Sequence, residues 1–290
     1  MHIKSLFALL ALLSLTACVT NPMTGRSQLS IVSEKTVMAK GAEMYSSLLS
    51  SYDKNGKLVS DEGLNTRLRT ITNRLVEQAV LYRPDARDWS WQISVIDNPE
   101  INASCLPGGK MFIHTGFMEK IAPTDDELAQ VMGHEISHAL ANHGAEKMSV
   151  QILAGIAAAT VAVAASAATY DPNRPGSYNR NNQRVIGDTS ALAAAAFVSL
   201  PNSRGAEEEA DKLGIELAAR AGYHPEAAVS LWKKMIEQTG QQSRADFMST
   251  HPASPKRVEF LESMQVPMMR IYEERKPLYA NYTPAYDYVQ

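Results

Sequence analysis

The sequence has 290 residues, of which 45% are hydrophobic and 20% charged. Chains of that make-up fold around a core, so intrinsic disorder is excluded. Lys plus Arg total 28 against 31 for Asp plus Glu, and no basic run appears. Nucleic acid is therefore not an expected partner.

Residues 1–17 (MHIKSLFALLALLSLTA) combine Lys4, an apolar stretch from Leu6 to Leu15 and small residues before Cys18, the pattern of an export signal. The stretch is too short to span a bilayer stably. Leu15-Thr16-Ala17-Cys18 resembles a bacterial lipobox, in which the cysteine becomes the acylated first residue, and Val19 in place of Asp resembles sorting to the outer membrane. Multiple acyl chains anchor stably. With Cys18 acylated, Cys105 is the remaining thiol and no intramolecular disulfide is expected.

Residues 18–32 are polar, with Pro22 and Gly25, and read as a tether between the lipid and a folded unit over 33–265. Ser33 opens a helix to about Ser51, and Asp61 opens another in which Leu64, Leu68, Ile71, Leu75 and Val76 recur at helical spacing. Residues 89–97 and 110–116 are strand-like, the second preceded by a Pro-Gly-Gly turn. A short helix follows from Gly116. The next, from Thr124, carries Glu127 at the reciprocal capping position.

Residues 151–168 are alanine-rich and uncharged, 170–188 form a Pro/Gly/Asn loop, and 191–200 are apolar again. A membrane hairpin is conceivable, but alanine is weakly apolar and each limb is at or below the required span. Two buried helices joined by a mobile loop are expected, with the loop acting as a lid. Residues 266–290 read as a tyrosine-rich tail.

The chemistry concentrates at VMGHEISHAL, residues 131–140. A helix turns about 100 degrees per residue, so His134 and His138 share one face, where two imidazoles reach one zinc ion. Glu135 stands beside them to take a proton from water activated by the metal. Core histidines satisfied by hydrogen bonds explain two histidines and a carboxylate together poorly. Zinc needs a third protein ligand. His143 is out of register, about 140 degrees around the helix from His138, and is expected at the surface or a helix end. Residues 203–211 (SRGAEEEAD) offer Glu207 as that ligand, and Asp211, four residues on, as acceptor for the ring N–H of a ligand histidine. Glu208 and Glu209 are expected to be solvated charge.

H-E-x-x-H followed about seventy residues later by S-R-x-x-E-x-x-A-D resembles the HtpX and CAAX prenyl protease-like family of zinc metallopeptidases, HExxH gluzincins, and within it the periplasmic lipoprotein branch of the BepA and LoiP kind. Ser203, Arg204, Glu207, Ala210 and Asp211 match the second motif; Asn102-Ala103 with Pro107-Gly108-Gly109, and Thr250-His251-Pro252 with Arg257, resemble two further segments. Two features depart from members of that family: there are no clear transmembrane helices, and no helical-repeat domain follows.

The resemblance implies an α+β, mainly helical zincin-type domain with a small sheet and the HExxH motif on its active-site helix, one Zn2+ per chain, and endopeptidase activity. A peptide is expected along an edge strand near Asn102 and Ala103. For His251 two roles stand side by side: approach to the metal, to stabilise an oxyanion or cap the zinc, or a structural His-Pro at a helix start. Expected substrates are unfolded or misassembled envelope polypeptides, with the outer membrane engaged through the lipid anchor and the outer-membrane assembly machinery as a possible partner. The rival reading is a zinc-stabilised chaperone or assembly factor for outer-membrane proteins, which has no use for Glu135.

Overall fold

Where the sequence offers a cap, a helix starts. In the computed structural model, which describes residues 18–21, 23–168, 201–239, 247–252 and 255–290, Ser33 caps α1 (Glu34–Lys54) and Asp61 caps α2 (Glu62–Tyr82). Leu68, Ile71, Leu75 and Val76 of α2 are buried, as their spacing requires. The expected lid over 170–188, the apolar limb 191–200 and the signal over 1–17 lie outside the described residues.

Strands β3 (Gln92–Ile96), β4 (Ala103–Leu106) and β5 (Lys110–His114) form a sheet of order β3-β5-β4, with β3 parallel and β4 antiparallel to β5. β4 is thus an edge strand, and among the described residues no strand lies on its outer side. After α3 (Thr115–Ile121) comes α4 (Asp125–Leu140), whose start is fixed reciprocally. The Glu127 N–H donates to Thr124 Oγ1 at 3.2 Å, and the Thr124 N–H to Glu127 Oε2 at 2.9 Å. Every residue of α4 from Glu127 to Leu140 is buried. The HExxH motif therefore sits in the middle of the core.

Around α4 pack α5 (His143–Ala168), α6 (Arg204–Arg220), α7 (Glu226–Thr239), the single turn α8 (Phe247–Thr250) and α9 (Pro255–Arg275). The crossing of α4 and α6 is unusually close, and two glycines permit it. A Cβ on Gly214 would lie 2.7 Å from the His134 backbone nitrogen, and one on Gly133 would lie 2.9 Å from the Gly214 carbonyl oxygen.

Three regions differ from the sequence reading. Residues 18–32 are not a loose tether: β1 (Cys18–Thr20) and β2 (Ser27–Leu29) form an antiparallel hairpin whose Asn21 and Gln28 are buried. Both side-chain amides donate to the Ala141 carbonyl at 2.9 Å. The last carbonyls of a helix have no partner within it, and the hairpin supplies one at the end of α4.

Residues 266–290 are not a tail either. α9 continues to Arg275, Met268, Tyr272 and Val289 are buried, and Gln290 exchanges backbone hydrogen bonds with Trp91 and Ile93 at 3.1 and 3.2 Å. The tyrosines drive this docking, because Tyr279 and Tyr282 pack on the Arg74 guanidinium, 4.1 and 5.5 Å from their ring centres.

The described part of α5 is not buried along its length. Ala145 and Met148 pack against Val37, but residues 151–160 are half-buried or exposed, since alanine side chains offer little area to bury. Among the described residues no helix is long and apolar enough to cross a membrane.

Candidate metal centre

Four side chains from three segments converge inside the core. His134 and His138 come from α4, Glu207 from the first turn of α6, and His251 from the residue following α8, and their ligand atoms all lie within 4.8 Å of one another. His134 Nε2 is 3.1 Å from His138 Nε2 and 3.2 Å from His251 Nδ1. Glu207 lies 3.5 Å from His134 Nε2, 3.4 Å from His138 Nε2 and 3.1 Å from His251 Nδ1. A tetrahedral zinc ion with ligands about 2.0–2.1 Å away sets neighbouring donors roughly 3.3 Å apart. The donor set fits zinc in both chemistry and spacing.

Each expected site residue has a definite place. Asp211 Oδ1 lies 3.0 Å from His134 Nδ1, and Arg257 donates to both Asp211 oxygens at 2.7 and 2.8 Å. Arg257 also approaches Glu207 Oε2 at 2.7 Å and stacks over the Trp232 ring. The sequence marked Arg257 by its motif but gave no hint that it links two acidic groups beside the metal ligands.

His143 stands at a helix end, as one of the two expected placements had it, for it is the first residue of α5, but it is not at the surface. It is buried, with Nδ1 2.8 Å from His138 Nδ1 and Nε2 2.9 Å from Glu209 Oε2. The angular argument that placed it outward assumed a continuous helix, whereas Asn142 adopts a left-handed conformation at φ 55 and turns the chain back. Glu209 is corrected with it, for it is partly buried and bonded to His143 and Arg26, while Glu208 is exposed as expected. Asn142, four residues after His138, was the available signal.

Glu135 lies beside the donors rather than among them. Its Oε2 accepts the Cys105 N–H of β4 at 3.1 Å, and its Oε1, 3.3 Å from His251 Nε2, accepts no hydrogen bond among the described residues. Burial pushes the Glu135 carboxyl up from its ordinary value. Burial also pushes the His138 imidazole well down, toward the neutral form that a metal ligand needs. Burial alone would raise the Glu207 carboxyl, but His251, His134 and His138 hold it well below the usual range. At His134 burial is outweighed by Asp211 and Glu207, which raise it to about 9.

Asn102 and Ala103 line the cleft together with Glu135, His138 and His251, with Ala103 the first residue of edge strand β4. The short turn α8 is tied to this wall, as the Phe247 N–H donates to the Ile101 carbonyl at 2.8 Å and the Phe247 ring stacks on His251. Cys18 is exposed on β1.

A mainly helical fold with a small sheet, an HExxH helix at its centre and a buried His/Glu donor set defines a zinc metallopeptidase of the zincin type. The chain belongs to peptidase family M48, whose pattern matches residues 62–265. The mitochondrial metalloendopeptidase OMA1 of Saccharomyces cerevisiae is 30% identical over 269 residues, covering 87% of this chain and 70% of that protein. Human OMA1 is 30% identical over 257 residues, covering 87% of this chain and 47% of the human one. The beta-barrel assembly-enhancing protease of Yersinia pestis is 27% identical over 202 residues, or 69% of this chain and 39% of that protein. The chain thus spans most of the yeast relative but less than half of the other two.

Proposed function

We propose that this chain is a zinc-dependent endopeptidase of the bacterial periplasm, anchored through lipid at Cys18 to the outer membrane, which hydrolyses misfolded or misassembled envelope proteins. The observation that carries the proteolytic reading is the convergence of His134, His138 and Glu207 with a Glu135 oxygen at their side that has no hydrogen bond among the described residues. When held there, zinc supplies Lewis acidity that polarises a peptide carbonyl and acidifies water. Glu135, positioned by the Cys105 N–H and made more basic by burial, takes the proton of that water and delivers it to the leaving amine. A substrate segment lies along β4, because extended pairing uses backbone groups and accepts varied side chains. The test is digestion of an unfolded polypeptide, lost on chelation and regained with zinc. Zinc-loaded protein that cuts none of several unfolded substrates would favour the chaperone reading.

His251 completes the donor set at the position that substrate must reach, which supports its role as a cap on the resting site. His251→Ala is expected to retain zinc on the three remaining ligands and to cleave faster than wild type. Slower cleavage with full zinc would assign His251 to oxyanion stabilisation instead.

The location rests on the export-signal pattern, on the lipobox-like residues before Cys18, and on the exposure of Cys18 itself. The relationship to the beta-barrel assembly-enhancing proteases of Yersinia pestis and Escherichia coli supports a partner in outer-membrane assembly. Cys18→Ala is expected to abolish acyl labelling and release the protein from membranes. Label that persists in this variant rejects the anchor.

A further inference from the structure

The two histidines of the motif are held in different ways, and the difference reaches the N-terminal hairpin. His134 Nδ1 faces Asp211 Oδ1 at 3.0 Å. His138 is backed by His143, a residue that the turn at Asn142 folds into the core at 3% exposure.

The hydrogen-bond chemistry behind His138 has one consistent direction. With Nε2 given to a metal, His138 keeps its proton on Nδ1 and donates it to His143 Nδ1 at 2.8 Å. His143 must then carry its own proton on Nε2, which it donates to Glu209 Oε2 at 2.9 Å. That same oxygen accepts from Arg26 Nε at 2.7 Å, and Arg26 Nη1 donates to Glu146 Oε1 at 2.7 Å. Arg26 directly precedes β2, and its guanidinium is the cation that faces Glu209 and Glu146 together. The hairpin also holds the end of α4 from a second direction, through Asn21 and Gln28 on the Ala141 carbonyl.

We propose that His143, Glu209 and Arg26 are positioning residues for the second metal ligand, so that the β1–β2 hairpin, N-terminal to the residues 62–265 that the family pattern matches, completes the metal centre. The chain of contacts fixes the His138 tautomer and ring plane, as Asp211 and Arg257 do for His134. Cys18, the proposed anchor, is the first residue of β1, so the hairpin joins that point of attachment to the geometry of the site.

This inference rests on the zinc reading of the centre, and the experiment separates the two. Zinc affinity is measured on the purified protein by competition with a chromophoric chelator, alongside the melting temperature of the metal-free form and the visible spectrum of the cobalt-loaded form. His143→Ala and Glu209→Ala are expected to weaken zinc binding roughly 10 to 100-fold and to shift the cobalt spectrum, with little change in metal-free melting. Arg26→Gln weakens binding by a smaller factor, and Glu209→Gln, which keeps an oxygen acceptor for His143, recovers most of the affinity lost in Glu209→Ala. Wild-type zinc affinity and an unchanged cobalt spectrum in His143→Ala and Glu209→Ala overturn the positioning role while the centre stands. Losses that merely follow a lowered metal-free melting temperature in every variant, Glu209→Gln included, overturn it as well. A wild type that binds no zinc removes the centre and the inference together.

Discussion

Glu135→Gln is expected to keep a full complement of zinc and to lose about 100 to 10,000-fold in cleavage rate, the range that general acid–base catalysis contributes. The amide fills the same space and its oxygen still accepts the Cys105 N–H, so neither the helix nor the donor set is disturbed. It cannot accept the proton of water. His134→Ala, His138→Ala and Glu207→Ala are expected to be inactive for a different reason, since each removes a donor from the buried cluster that would hold the metal. Measuring zinc per chain and cleavage of one unfolded substrate across these four variants separates the two kinds of loss. If Glu207→Ala retains full zinc, the third ligand lies elsewhere.

Gly214→Ala is expected to destabilise the fold and to weaken the metal site although it touches no ligand side chain. The added methyl would sit 2.7 Å from the His134 nitrogen and 2.8 Å from its Cα, both backbone atoms in the middle of a buried helix. Neither can rotate aside. Relief requires α4 and α6 to move apart, and those two helices carry His134 and Glu207, whose atoms must stay within bonding reach of one ion. Overpacking of this kind costs about 1 to 3 kcal/mol. In a chain of this size that lowers the melting temperature by roughly 2 to 12 °C. Zinc affinity falls in parallel. A variant that melts and binds zinc like wild type would show that the crossing has slack.

The sequence by itself determined the helix starts at Ser33, Asp61 and Thr124, because a capping side chain acts within four residues of the backbone it serves. It also determined that His134 and His138 share a face with Glu135 at their side, since helical spacing is local geometry. Glu207 and Asp211 were legible for the same reason, once a later helix was sought for the third ligand.

What only the tertiary structure decided lies wherever the chain changes direction or meets a distant segment. His143 was placed at the surface or a helix end; it does open α5, but the rotation angle that pointed it outward holds only while the helix continues, and after the left-handed turn at Asn142 it is buried. Glu209 looked like solvated charge because its partners, Arg26 and His143, stand 183 and 66 residues away. The hairpin over 18–29 and the docked C-terminus were read as loose because polar and tyrosine-rich stretches carry no periodic apolar signal. Their stability comes from specific partners, the Ala141 carbonyl, the Arg74 guanidinium and the edge of β3, that exist only after the core has formed.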